Sequence, residues 1–171
     1  EIVELGLLST NLGITSSNLF KSSKLKSCGM WDVNQKSSQE YELMFRMYKN
    51  QAIFKNSDYN MTINQARKSG QISTSNLYDN WKRYVDLRIE MINYFDNISS
   101  FNHENKLLMN KILFDSFRIL AKYDRSKANE LYFKYLNGFS PNKSISNSFL
   151  YVFLFRILGF KKTEFLKSFF S

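Results

Sequence analysis

Three carboxylates, an arginine and several aromatic residues lie close together in residues 29–46. Glu40 stands in the first turn of a predicted helix, where the positive end of the helix dipole keeps a carboxylate ionised. An ionised carboxylate accepts hydrogen bonds and suits a general base at the rim of a cleft. Glu42 is the nearest competitor, but Arg46 follows it by four residues and would lower its basicity by pairing with it.

A helix over residues 37–48 must position these groups. Ser37 or Ser38 is the expected N-cap, and Leu43 and Met47 share an apolar stripe below the carboxylates. Trp31 and Asp32 precede this helix on a linker. Such a pair suits a sugar platform, because the ring stacks on the apolar sugar face and the carboxylate accepts from hydroxyls. A core tryptophan beside a capping aspartate is the alternative.

Three short motifs resemble the C-terminal half of family 2 glycosyltransferases, inverting enzymes of GT-A fold, in their bacterial surface-polysaccharide type. The motifs are residues 15–21 (Thr-Ser-Ser-Asn-Leu-Phe-Lys), 29–32 (Gly-Met-Trp-Asp) and 39–46 (Gln-Glu-Tyr-Glu-Leu-Met-Phe-Arg). A fourth piece, residues 69–73 (Ser-Gly-Gln-Ile-Ser), fits the family's usual end of the catalytic domain. The resemblance covers roughly residues 1–75.

The resemblance implies site residues. It places the catalytic base at Glu40, where the family usually has Asp. It implies acceptor-binding roles for Ser16, Ser17, Asn18, Trp31, Asp32 and Gln39. Residues 10–17 can equally form an ordinary loop whose hydroxyls cap the next helix.

For the donor diphosphate, the resemblance suggests Arg67 and Lys68. The family often carries a histidine in that loop, and this sequence has none there. A solvated turn is the alternative interpretation of the same two residues.

The family binds its nucleotide-sugar and a divalent metal (Mg or Mn) through an N-terminal half with an Asp-x-Asp motif. This sequence contains no Asp-x-Asp and no glycine-rich phosphate loop, and it begins at Glu1 rather than Met. We therefore expect the acceptor-side fragment of a longer enzyme. The fragment itself would bind no cofactor and would be inactive alone, with the nucleotide-sugar donor and saccharide acceptor as substrates of the full-length protein.

The 171 residues carry a net charge of +9, which favours phosphate-bearing partners or an anionic membrane surface. Lysine-rich usage without any binding role would give the same charge. We expect no nucleic-acid partner, because zinc spacings, ribonucleoprotein motifs and arginine-rich arms are missing. A single cysteine, Cys28, and the lack of a signal peptide fit the cytoplasm, with a peripheral position at the inner face of the membrane.

The patterns predict a mostly α fold of α+β type. Short strands are expected at residues 52–54 and 59–63, and residues 2–8 could be a strand or a helix. The domain boundary is expected near Ser75. It would separate a GT-A-like acceptor-side part, residues 1–75, from a helical extension, residues 76–171, with helices from about Leu77, Glu104 and Arg125.

The tail carries an unbroken apolar run, residues 149–155, followed by basic residues among further phenylalanines. The run is too short to span a bilayer, so residues 149–171 suit an interfacial helix on an anionic membrane surface. A helix buried against its neighbours or a partner chain is the alternative. The rival function is a non-enzymatic, basic-aromatic helical module that binds a membrane surface or a partner protein.

Overall fold

The computed structural model of the protein describes residues 2–57, 76–98 and 101–169. Within these ranges the chain is mostly α, as predicted, and contains no strand. Seven α-helices and one 3-10 turn, at Thr15–Ser17, make up the described structure. In chain order the helices are α1 (Val3–Ser9), α2 (Ser22–Ser27), α3 (Gln39–Lys49), α4 (Leu77–Asn97), α5 (His103–Leu120), α6 (Arg125–Tyr135) and α7 (Phe149–Lys167).

The strand expected at residues 52–54 is wrong. Ala52 closes the end of α3 instead, since its amide donates to the carbonyl of Met47 at 3.0 Å. Ala52 and Phe54 are half-buried near Cys28, and Ile53 points to solvent. The alternation of buried and exposed residues that predicted a strand therefore occurs in an extended segment without a neighbouring strand. Residues 2–8 largely form helix α1, and the strand expected at 59–63 lies outside the described residues.

The first compact unit is Glu1–Asn97. Its core joins the buried leucines of α1 to the apolar faces of α3 and α4. The ring of Phe95 on α4 lies 5.8 Å from Phe45 and 5.5 Å from Tyr48, both edge-to-face. Helix α4 therefore packs with the part of the chain that precedes it, and this compact unit extends to Asn97, because aromatic contacts hold α4 against α3.

The second compact unit is Ile98–Ser171 and contains α5, α6 and α7. Phe114 lies at its centre, with the rings of Phe139 and Phe155 at 5.4 and 5.5 Å. Tyr132 of α6 stacks flat on Phe160 of α7 at 4.6 Å. Gly159 interrupts α7 with φ 73°, a left-handed conformation that glycine adopts without steric cost, so the helix kinks there.

Side-chain caps begin the helices of this unit. The side chains of Asn102, Asp124 and Ser148 accept from the amides of Asn105, Lys127 and Tyr151, which starts α5, α6 and α7. None of the described helices has both the length and the apolar content that a bilayer crossing requires.

Candidate functional site

Glu40 is the second residue of α3, at the positive end of the helix dipole. Its side chain is half-buried, and its Oε1 accepts a hydrogen bond of 2.9 Å from the hydroxyl of Thr15. The carboxylate thus faces the 3-10 turn that contains Ser16 and Ser17. Two of the quoted motifs, residues 15–21 and 39–46, meet at this contact.

Tyr41 holds the preceding loop against α3. Its buried hydroxyl accepts from the amide of Leu12 at 3.1 Å and donates to the carbonyl of Gly13 at 3.0 Å. Burial raises the pKa of the Tyr41 phenol above 10.0, so the group remains a neutral donor and acceptor at physiological pH. Tyr41, which follows Glu40 in the chain, therefore holds this loop in place beside Glu40.

The turn at residues 13–18 is closed by its own side chains. Ser17 Oγ accepts from the amide of Ile14 at 2.9 Å, and Asn18 Nδ2 donates to the carbonyl of the same residue at 2.9 Å. Gly13 has φ +84°, and a Cβ there would lie 2.5 Å from Ser17 Oγ. Ser17 and Asn18 thus maintain the turn, and Ser16 and Ser17 remain exposed to solvent.

Trp31 packs inward rather than standing free. Its half-buried ring meets Phe20 edge-to-face at 6.2 Å and joins the cluster around Cys28, Leu43 and Met47. Asp32 is exposed, and its Oδ1 accepts from the amide of Asn34 at 2.8 Å, which closes a local turn. These contacts are those of the structural alternative, and sugar contact by either residue stays a prediction.

Glu42 is fully engaged by Arg46. The guanidinium donates from Nε at 2.5 Å and from Nη2 at 2.7 Å to the two carboxylate oxygens. Arg46 also donates to the carbonyls of Cys28 and Met30, and its hydrogen bond with Glu42 raises its pKa further. Both carboxylate oxygens of Glu42 are therefore occupied by its ion pair, whereas the described contact of Glu40 is a single hydroxyl.

The remaining predicted site residues have no described contact with Glu40. Gln39 is exposed at the first turn of α3, and its Nε2 donates to the carbonyl of Gln35 at 2.6 Å. Arg67 and Lys68 lie outside the described residues. The structure thus brings Glu40 together with Thr15 and the serine turn, whereas Trp31 packs against a different cluster and Asp32 closes a local turn.

A cleft of about 180 Å³ is bounded by residues of α3 and α4. It is lined by Gln35, Glu42, Arg83, Asp86, Leu87 and Glu90. No pattern in the sequence indicated this cleft, because Glu42 and the lining residues of α4 are at least 41 positions apart in the chain. Arg83 reaches the residues just before α3, and its Nε donates to Ser37 Oγ at 2.9 Å. Glu40 is not among the lining residues.

Arg88 is a second feature that the sequence pattern concealed. It falls in the apolar stripe of α4, and its side chain is fully buried. Nη1 donates to the carbonyl of Tyr84 at 3.0 Å, but Nε and Nη2 have no hydrogen-bond partner in the described structure. Burial lowers the pKa of Arg88 to about 10. The sequence feature that could have revealed this buried charge is the arginine at a position within the apolar stripe of α4.

The described residues do not fit a metal centre. Nowhere in these ranges do three His, Cys, Asp or Glu side chains come together in a way that could hold a metal ion. The divalent metal that the resemblance implies has no donor set in this part of the chain, so no chemical step is assigned to it here.

When the chain is compared with protein-family models, curated proteins and solved structures, none of them matches it.

Proposed function

We propose that this chain is the acceptor-side fragment of an inverting, nucleotide-sugar-dependent glycosyltransferase of family 2 type, with Glu40 as the general base. The observation that carries the proposal is the 2.9 Å hydrogen bond between Thr15 and Glu40. It joins two of the motifs from which the resemblance was drawn, residues 15–21 and 39–46, and it puts a carboxylate beside a turn rich in hydroxyls. The fold that the proposal implies for the longer protein is GT-A, with this chain contributing its acceptor side.

The Thr15 contact also supports the proposed chemistry. A hydroxyl already donates to Glu40 at a distance within the range that proton abstraction needs. In the proposed reaction an acceptor sugar hydroxyl takes the equivalent place and gives its proton to the carboxylate. Its oxygen bonds to the anomeric carbon of the donor as the bond from that carbon to the diphosphate oxygen breaks. The nucleoside diphosphate leaves from the opposite face, so the configuration inverts.

The substrate assignment follows the same resemblance. The donor is a nucleotide-sugar that the longer protein would bind with Mg or Mn, and the acceptor is a saccharide, lipid-linked in cell-surface polysaccharide synthesis. Arg67 and Lys68 stay candidates for the diphosphate. The proposed place of action is the cytoplasmic face of the membrane, where a lipid-linked acceptor would meet a cytoplasmic donor.

The test uses the longer protein that the proposal requires, assayed for release of nucleoside diphosphate from a panel of nucleotide-sugars with Mg or Mn. Glu40→Gln keeps the size and hydrogen bonding of the side chain but removes the base. We expect it to lower turnover about a hundredfold or more while donor binding is retained. Glu40→Asp restores a carboxylate of the kind usual in the family, and we expect it to retain far more turnover than Glu40→Gln.

Glu130→Gln is the matched control, because Glu130 is an exposed glutamate on α6. Its turnover should equal that of the wild type. Unchanged turnover in Glu40→Gln would remove Glu40 from the mechanism. A wild-type protein that consumes no donor would contradict the enzyme proposal and favour the non-enzymatic helical module.

A further inference from the structure

The first half of α7 presents an apolar face to solvent. Phe149, Leu150, Phe153 and Ile157 are 74, 65, 51 and 63% exposed. At 3.6 residues per turn these four positions share an arc of about 100° on one side of the helix. We call them the exposed α7 face. Four large apolar side chains on one stripe form a continuous patch rather than the scattered single exposures of an ordinary surface.

The opposite side of the same helix builds the core of the second unit. Tyr151, Val152 and Phe155 are buried there, and Phe155 packs against Phe114 at 5.5 Å. The helix therefore cannot rotate to bury the exposed α7 face without withdrawing these residues from the core. The exposure is a fixed property of the way α7 packs within its unit.

The chain segment that contains this face carries mostly positive charges. Residues 142–171 contain five basic residues and one acidic residue, Glu164. Glu164 is buried and pairs with Arg118 at 3.0 Å, so its charge is compensated inside the unit. Arg156, Lys161 and Lys162 are exposed, and Arg156 follows Phe149 by seven positions, at the edge of the apolar arc.

We infer that the exposed α7 face docks on an anionic phospholipid surface, with α7 lying in the plane of the interface. Phenylalanine and aliphatic side chains enter the boundary between headgroups and acyl chains, and the flanking basic residues contact lipid phosphates. Charge selects this occupant over a second copy of the chain. A symmetric contact would bring two identical basic rims together in a protein whose net charge is +9. The inference is independent of the glycosyltransferase proposal.

The test is co-sedimentation of the 171-residue protein with vesicles of phosphatidylcholine alone or mixed with phosphatidylserine. We expect binding to the mixed vesicles and at least about tenfold weaker binding for Phe153→Ser/Ile157→Ser, because two large apolar side chains leave the interface. Leu19→Ser/Ile53→Ser is the matched control. Leu19 and Ile53 are large apolar residues like Phe153 and Ile157, and they are 95 and 85% exposed in the first unit. The control should bind like the wild type.

Lys161→Gln/Lys162→Gln separates the charge contribution. We expect about fivefold weaker binding to the mixed vesicles for each charge removed, and no change with phosphatidylcholine alone. All substituted positions are exposed, so unchanged far-ultraviolet circular dichroism should accompany each result. Binding that ignores the α7 substitutions, or no binding to either vesicle, would overturn the inference. So would lipid-free self-association that Phe153→Ser/Ile157→Ser abolishes, which would assign the face to a second copy.

Discussion

Arg118 and Glu164 form an ion pair of 3.0 Å in which both side chains are less than one-tenth exposed. Tyr151 donates to the same carboxylate oxygen at 2.7 Å, and its ring faces the guanidinium at 3.9 Å. Arg118 also donates to the carbonyl of Ser146 and to the side chain of Asn147. The network connects α5 to both ends of α7, through Tyr151 near its start and Glu164 near its end. Arg118 and Glu164 are 46 residues apart in the chain.

Removing one charge of this pair should be costly. Glu164→Gln leaves the Arg118 guanidinium buried without a counter-charge, so we expect the free energy of unfolding to fall by about 3 kcal/mol. Urea denaturation followed by far-ultraviolet circular dichroism measures it. Glu130→Gln breaks the exposed pair of Lys127 and Glu130 and should cost less than about 0.5 kcal/mol. Equal effects of the two substitutions would show that the buried pair contributes no more than a surface pair.

Replacing Arg88 should raise the free energy of unfolding, in contrast to Glu164→Gln. The buried guanidinium has no carboxylate partner among the described residues, and two of its nitrogens lack acceptors there. Arg88→Met keeps an unbranched chain of similar length and removes the desolvated charge, so we expect a gain of about 1–2 kcal/mol. Trp31 and Trp81 both lie in the first unit and report its unfolding by fluorescence. Arg156→Met, at an exposed position, should leave stability unchanged; a loss in Arg88→Met would refute the expectation.

The loop beside Glu40 should loosen when the Tyr41 hydroxyl is removed. Tyr41→Phe deletes the hydrogen bonds to Leu12 and Gly13, and we expect a loss of about 1–2 kcal/mol. The local measurement is hydrogen exchange of the Leu12 amide, whose acceptor disappears. Tyr123→Phe, at a 41% exposed tyrosine, is the control and should change neither quantity. Unaltered protection of the Leu12 amide would contradict the assigned role of Tyr41.

The fold should lose stability in alkali. Burial raises the pKa of Tyr48 and Tyr151 above the ordinary 10.0, with added hydrogen bonds to Glu4 and Glu164. Above pH 10 the unfolded chain therefore releases protons that the folded chain retains, and the free energy of unfolding falls as the pH rises. Urea midpoints measured upward from pH 9 should decline, with a shallower decline for Tyr48→Phe/Tyr151→Phe. Identical slopes for both proteins would exclude these two phenols as the cause.

Helical periodicity predicted the fold well where one face of a helix is buried. Helix α4 was predicted from residue 77 and begins at Leu77, because its apolar residues recur at three- and four-residue spacing. Residues 52–54 were mistaken for a strand because three residues can alternate between core and solvent in a plain extended segment. The grouping of α4 with α3 depends on aromatic contacts between distant residues, and no local pattern encodes those contacts.

In the candidate site, too, the contacts within one helix were predictable from the sequence and the contacts between distant residues were not. The pair of Glu42 and Arg46 follows from their four-residue spacing and is present at 2.5 Å. The contact of Glu40 with Thr15 crosses 25 residues and required the tertiary fold. For Trp31, the sequence allowed both an exposed platform and a core residue, and its ring contact with Phe20 became visible only in the tertiary structure.

The four hydrogen bonds of Arg46 have a consequence for how this region opens. Helix α2 has six residues, too few to persist as an isolated helix. The carbonyls of Cys28 and Met30, just after its end, are held by the guanidinium of Arg46 on α3. The amides of α2 should therefore exchange with solvent at the opening free energy of α3, so that the two helices form one cooperative unit of unfolding although eleven residues separate them.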